Sequence, residues 1–102
     1  MNVGLKPLPK EKYRVILSYS KKLPWNEMLQ KLRELCEYTQ HQVATAININ
    51  RKTYSNYESG ISEMGIETVK KLAKLYGIPS SLILGEPDLI IQFMEEIEND
   101  KL

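Results

Sequence analysis

A single cysteine, a single histidine and a single tryptophan stand in this chain of 102 residues. One thiol, Cys36, excludes an intramolecular disulfide. It falls four residues after Leu32 on the side of a helix that should be buried, and reads as core. A redox-sensing thiol is the sharper alternative, but no second cysteine and no basic cluster adjoins it in sequence. His41 lacks local partners for a metal and reads as surface. No apolar run of about 18 residues is present, so no membrane span is expected. Nor does a charged-then-apolar leader mark secretion, and a cytoplasmic protein is the expectation. There is no Ser/His/Asp or Cys/His set and no Gly-rich phosphate loop, which excludes the familiar enzyme chemistries; no cofactor is expected.

Net charge is scarce too, at +1, but it is unevenly spread. Residues 1–25 carry six Lys/Arg against one Glu, and residues 85–102 carry six Asp/Glu against one Lys. The middle is nearly neutral. The length suits one domain with a small helical core.

The informative stretch is 39–60, TQHQVATAININRKTYSNYESG, which reads as two short helices joined by a tight turn. Thr39 is a candidate N-cap, and Gln42 stands where it completes a capping box. Val43, Ala44 and Ile47 form one apolar stripe, too narrow to be stable without packing on another element. Asn48 tolerates a left-handed conformation and sits at the turn. Asn50 caps the second helix, 50–58, and Gly60 takes the left-handed position after its end. Tyr54 and Tyr57 then point inward above Ile49. Arg51, Lys52, Ser55, Asn56 and Ser59 point outward, and no acidic side chain shares their face.

Such a face suits the major groove of DNA, since Arg or Lys donates to guanine O6 and N7 and Asn pairs both ways with adenine. The amino end of the helix favours phosphate. Taken alone, such a face is more often a solvated surface, since protein surfaces are mostly polar.

Residues 29–84 resemble the lambda-repressor-like, or Cro/C1-type (Xre), helix-turn-helix family. Leu29, Leu32 and Arg33, then Thr39-Gln40, Val43-Ala44, Ser55-Asn56-Tyr57-Glu58 and Gly60 carry the likeness. IETVKKLAKLYGIPSSLIL follows at the spacing of that family's fourth and fifth helices. The resemblance implies that Gln40 and Asn50, with Ser59, hold DNA phosphates. It implies that Arg51, Lys52, Ser55 and Asn56 face base edges, and that Arg33 pairs with Glu58 as a structural tie. The chain departs from the family at Glu37, where Gly is usual, so the corner there is open to a different shape. It departs again in the loop ISEMG after Gly60, where the usual basic residues and proline are replaced by Ile61, Glu63 and Met64.

Outside the motif, residues 1–22 form a basic arm with no periodicity at 1–12, and a strand is expected at 13–20. Tyr13, Val15, Leu17 and Tyr19 alternate onto one face of that strand. A lone strand leaves its backbone unpaired. It must therefore pair within its own domain, across a dimer axis with a second copy, or with a partner protein; a helical extension is the other option. Pro24 opens a helix with Trp25, Leu29, Leu32 and Cys36 inward. A later helix from Ile66 should bury Ile66, Val69, Leu72, Ala73 and Tyr76 and end at Gly77. Leu82, Ile83 and Leu84 close the core. The acidic segment 86–102 should carry an amphipathic helix, 88–99, with Leu89, Phe93 and Ile97 on one side.

The expected architecture is all-α: a five-helix domain at 23–85, with an extra N-terminal arm or strand and an extra C-terminal helix. The expected function is that of a sequence-specific transcriptional regulator of double-stranded DNA, a dimeric repressor reading the major groove with helix 50–58. Two alternatives stand beside it. One is an antitoxin-type autoregulator. The other is a protein-interaction module that keeps the fold and takes a protein partner through segment 13–20 or helix 88–99.

Overall fold

The structure, a computed structural model, is helical wherever it forms regular elements among the residues it describes, 5–20, 22–84 and 95. A 3-10 turn at Lys10–Lys12 leads into α1 (Tyr13–Ser20), followed by α2 (Trp25–Leu35), α3 (Gln40–Ala46), α4 (Arg51–Glu58), α5 (Ile66–Tyr76) and α6 (Ser80–Leu84). The helix expected at 88–99 lies outside the described residues, Glu95 excepted.

Four of these helices stop by one device. After α2 the Glu37 N–H donates to the Glu34 carbonyl and the Tyr38 N–H to Arg33, at 3.1 and 3.0 Å. The same 5→2 and 6→1 pattern ends α3 (Asn48 to Thr45, Ile49 to Ala44), α4 (Gly60 to Tyr57, Ile61 to Asn56) and α5 (Gly77 to Lys74, Ile78 to Ala73). Each end needs one left-handed residue, and these are Glu37, Asn48, Gly60 and Gly77, with φ between +59° and +78°. The geometry satisfies carbonyls that the helix would otherwise leave bare. Glu37 thus keeps the corner in the form that glycine would give it, at a cost on the order of 1 kcal/mol. At Gly60 a side chain would also meet Asn26, whose Nδ2 would lie 3.2 Å from an added Cβ.

The core runs through all six helices. Met28, Leu29 and Leu32 of α2, Val43 and Ala44 of α3, Tyr54 of α4, Val69, Leu72 and Tyr76 of α5 and Leu82 and Ile83 of α6 are buried. Trp25 and Cys36 pack at its edge. Ile66, expected inside, is 56% exposed and Leu84 42% exposed. Ile66 is the first residue of α5, one turn ahead of the buried Val69, and its side chain falls to the outside there.

The N-terminal segment differs from expectation. Residues 13–20 form helix α1, not a strand, and no strand occurs among the described residues. Its spacing fits a helix as well: Ile16 and Ser20, four apart, are buried, and Tyr13 and Leu17 flank them. Val15, on the face that the strand would have turned inward, is 39% exposed. α1 packs on α2 and α6, and a helix satisfies its own backbone where a lone strand does not. Nor are residues 5–12 before it a free arm. Leu8 is 2% exposed within the core, and its N–H donates to the Tyr76 carbonyl at 2.9 Å. Burial of one such leucine contributes about 1.5–3 kcal/mol.

Candidate nucleic-acid interface

α3 and α4 pack on each other, and each start is set by its own cap. Thr39 Oγ1 accepts from the Gln42 N–H at 3.1 Å while Gln42 Oε1 accepts from the Thr39 N–H at 2.8 Å. At α4, Asn50 Oδ1 accepts from the Lys52 N–H at 2.7 Å. The cap uses only the oxygen of Asn50, on an exposed residue whose amide also carries two N–H donors.

Beyond the cap, Arg51, Lys52 and Thr53 are exposed, Ser55 and Asn56 are half-buried, and Ser59 is exposed. Ser59 Oγ donates to the Asn56 carbonyl at 3.2 Å. Tyr54 is fully buried, and Tyr57 and Ile49 are partly so. Thr53 was not singled out by sequence, although it belongs to the same exposed first turn.

The far end of α4 is fastened inward. Arg33 Nε donates to Glu58 Oε2 at 2.7 Å and Nη2 to Oε1 at 3.1 Å, while Nη1 reaches the Tyr38 carbonyl at 2.9 Å. Gln40 Nε2 donates to the same Glu58 Oε1 at 3.1 Å, and Arg51 Nη1 donates to Gln40 Oε1 at 3.3 Å. Asn26 Nδ2 reaches the Glu58 carbonyl at 3.4 Å. One hydrogen-bonded chain therefore links the end of α2, the start of α3 and both ends of α4. Of the sequence-predicted residues it brings together Arg33, Glu58, Gln40 and Arg51. Asn50, Lys52, Ser55, Asn56 and Ser59 stand outside it on α4 and its caps. Asn26 and Tyr38 were missed, since their parts depend on contacts across the fold that no local spacing signals.

The electrostatics follow from this geometry. Burial alone would raise the Glu58 carboxyl, but hydrogen bonds from Arg33, and further ones within the cluster, outweigh it and hold the pKa below the ordinary value. Arg33 is held above its own by the bond to Glu58, against the cost of burial. The Tyr54 phenol, beneath them, is pushed far up by burial and by neighbouring Tyr76 and Glu58, so it stays protonated. Cys36, half-buried, is pushed up by burial against the opposing pull of Lys12, which favours an unreactive thiol. No group of His, Cys, Asp and Glu that could hold a metal occurs among the described residues. No helix among them is long and apolar enough to cross a membrane.

A helix-turn-helix family model matches residues 29–83. The cryptic phage CTXphi transcriptional repressor RstR of Vibrio cholerae is 33% identical over 64 residues, 63% of this chain and 58% of that protein. The HTH-type transcriptional regulator ImmR of Bacillus subtilis is 31% identical over 61 residues, 60% of this chain and 48% of its own. The SPbeta prophage-derived uncharacterized HTH-type transcriptional regulator YonR, also of Bacillus subtilis, is 32% identical over 77 residues, 74% of this chain and 69% of its own. The chain spans about half the length of the first two of these relatives. No solved structure matches it significantly.

Proposed function

This chain belongs to the Cro/C1-type helix-turn-helix family, and from that premise we propose that it is a sequence-specific, DNA-binding transcriptional regulator acting as a dimeric repressor. The observation that carries the reading is the sidedness of α4. Its one carboxylate, Glu58, is buried against Arg33, while Arg51 and Lys52 stand exposed at its amino end. A helix of this composition presents donors and positive charge to a duplex and turns away the group that phosphate would repel.

In the groove, Arg51, Lys52, Ser55 and Asn56 read base edges. Gln40, Asn50 and Ser59 hold the flanking phosphates. Gln40 also braces Arg51, which limits the freedom of a long side chain before it meets a base. One such helix reads a half-site, so two copies presenting α4 about 34 Å apart gain specificity from symmetry. Repression is supported by the likeness to RstR, a phage transcriptional repressor. A DNA-binding regulator of this kind works in the cytoplasm.

A second reading, an interaction module or antitoxin-type autoregulator that binds protein through the fold, is favoured by one observation. Ile61, just past α4, and Ile66, the first residue of α5, are 75% and 56% exposed.

Selection of duplexes from a random pool, followed by titration at fixed salt, tests the proposal. Arg51→Ala and Asn56→Ala are expected to cost about 1–3 kcal/mol on the selected duplex and little on a scrambled one. Gln40→Ala should weaken both. Sedimentation of the free chain and of its DNA complex reads the dimer. A chain that enriches no sequence, or equal losses on both duplexes for Arg51 and Asn56, would overturn the base-reading assignment.

A further inference from the structure

Residues 5–12 lie outside the matched helix-turn-helix, yet they are strapped to the end of α2, beside the start of α3. The Tyr38 hydroxyl accepts from the Lys6 N–H and donates to the Lys6 carbonyl, so both backbone groups of Lys6 are held by one side chain. Two residues on, Leu8 is locked in the core and its N–H is bonded to Tyr76. Pro7 and Pro9 flank it, fixing φ on either side, and Pro7 Cβ packs over Gly77, 3.1 Å from where a side chain there would begin. Lys12 is spoken for: its ammonium donates to the Leu35 carbonyl at the negative end of α2.

Lys6 is different. Its backbone is pinned and its side chain is exposed, and no carboxylate among the described residues is in ion-pair contact with it. Tyr38, which holds it, immediately precedes Thr39 and Gln40. A cation on a fixed backbone is therefore held at the corner between α2 and α3, on the residue that stands two positions before Gln40. Two neighbours bear on its charge. Lys12 and Glu37 line the same cavity of about 260 Å³, and Lys12 is bonded to backbone while Glu37 lies exposed at the helix end.

We propose that Lys6 is a DNA-backbone contact, carrying the phosphate-binding edge beyond Gln40 and outside the helix-turn-helix. The inference rests on the DNA-binding reading above. It accounts for how a chain of net charge +1 gathers positive charge at the duplex: the basic N-terminal segment is docked there by Tyr38 and Leu8 and does not search for the DNA as a loose arm. The contact is with phosphate, so it adds affinity without sequence preference.

The test is the slope of log K against log salt for the full chain, on the selected duplex and on one of mixed sequence. Lys6→Ala is expected to reduce the slope by about 0.9 for each copy of the chain on the DNA, equally for both duplexes. Lys6→Arg should restore it, and Lys6→Glu should weaken binding further. Lys70→Ala, an exposed charge on α5, controls for net charge. Thermal melts followed by circular dichroism should be unchanged, because Lys6 is exposed. A wild-type slope in Lys6→Ala, or an equal loss in Lys70→Ala, overturns the proposal; with Arg51→Ala still impaired, the DNA-binding reading survives it. A wild-type chain with no salt-dependent binding to any duplex overturns both.

Discussion

The guanidinium of Arg33 grips the carboxylate of Glu58 across 25 residues of sequence, with Nε–Oε2 at 2.7 Å and Nη2–Oε1 at 3.1 Å. Two parallel bonds from a planar donor fix orientation as well as distance. The acid closes α4 and the base lies in the last turn of α2, so the pair sets the angle at which the proposed recognition helix leaves the core. Gln40 shares the Glu58 Oε1 atom, which ties the start of α3 to the same point.

The side chains of Arg33 and Glu58 are 17% and 6% exposed, so neither charge is well hydrated. Removing one partner strands the other, and Arg33→Met or Glu58→Gln should each destabilise the fold by about 3 kcal/mol. The double variant should lose less than the sum. Guanidinium unfolding of the four proteins measures the coupling; strict additivity would show that the pair contributes nothing as a pair.

Folded Glu58 titrates below its ordinary value of 4.5. A depressed carboxyl binds fewer protons folded than unfolded, so its stabilisation is complete above the unfolded value and fades as pH falls through the folded one. Melting temperature should therefore drop on acidification below about pH 5, and Glu58→Gln should show a shallower drop. Identical acid limbs for the two proteins would place the titrating group elsewhere.

Glu37 holds φ +59°. Glycine there would relieve about 1–2 kcal/mol of left-handed strain, offset by roughly 0.4–1 kcal/mol of extra freedom in the unfolded chain. The first effect wins, and Glu37→Gly should raise the melting temperature by a few degrees while Glu37→Ala, which keeps its Cβ, should not. A lower melting temperature for the glycine variant would mean that the Glu37 side chain contributes more than its conformation costs.

Leu8 lies outside the matched helix-turn-helix but inside the core. Leu8→Ala should cost about 2–4 kcal/mol, and deleting residues 1–22, which also removes Ile16, should prevent folding. Urea midpoints with unchanged m-values are the measurement. A loss below about 0.5 kcal/mol would return the segment to the status of a surface strap.

Short-range chemistry made much of this fold legible. Thr39 with Gln42, Asn50, Asn48, Gly60 and Gly77 act on backbone groups within five residues of themselves, so their roles as caps and left-handed stops follow from local energetics. The order and spacing of Leu29, Arg33, Gln40, Val43 and Asn56 carried the family, which the match over 29–83 shows. Tertiary structure decided the remainder. The run 13–20 is apolar at period two and at period 3.6 alike, and only packing on α2 and α6 selects the helix. Whether Glu37 would bend the corner away was a contest between local strain and the packing of α2 on α4, and the packing prevailed. The docking of Leu8 and the clasp of Tyr38 on Lys6 join residues more than 30 positions apart. Such contacts exist only once the helices have closed around one core, because no nearby residue supplies the partner atoms that define them.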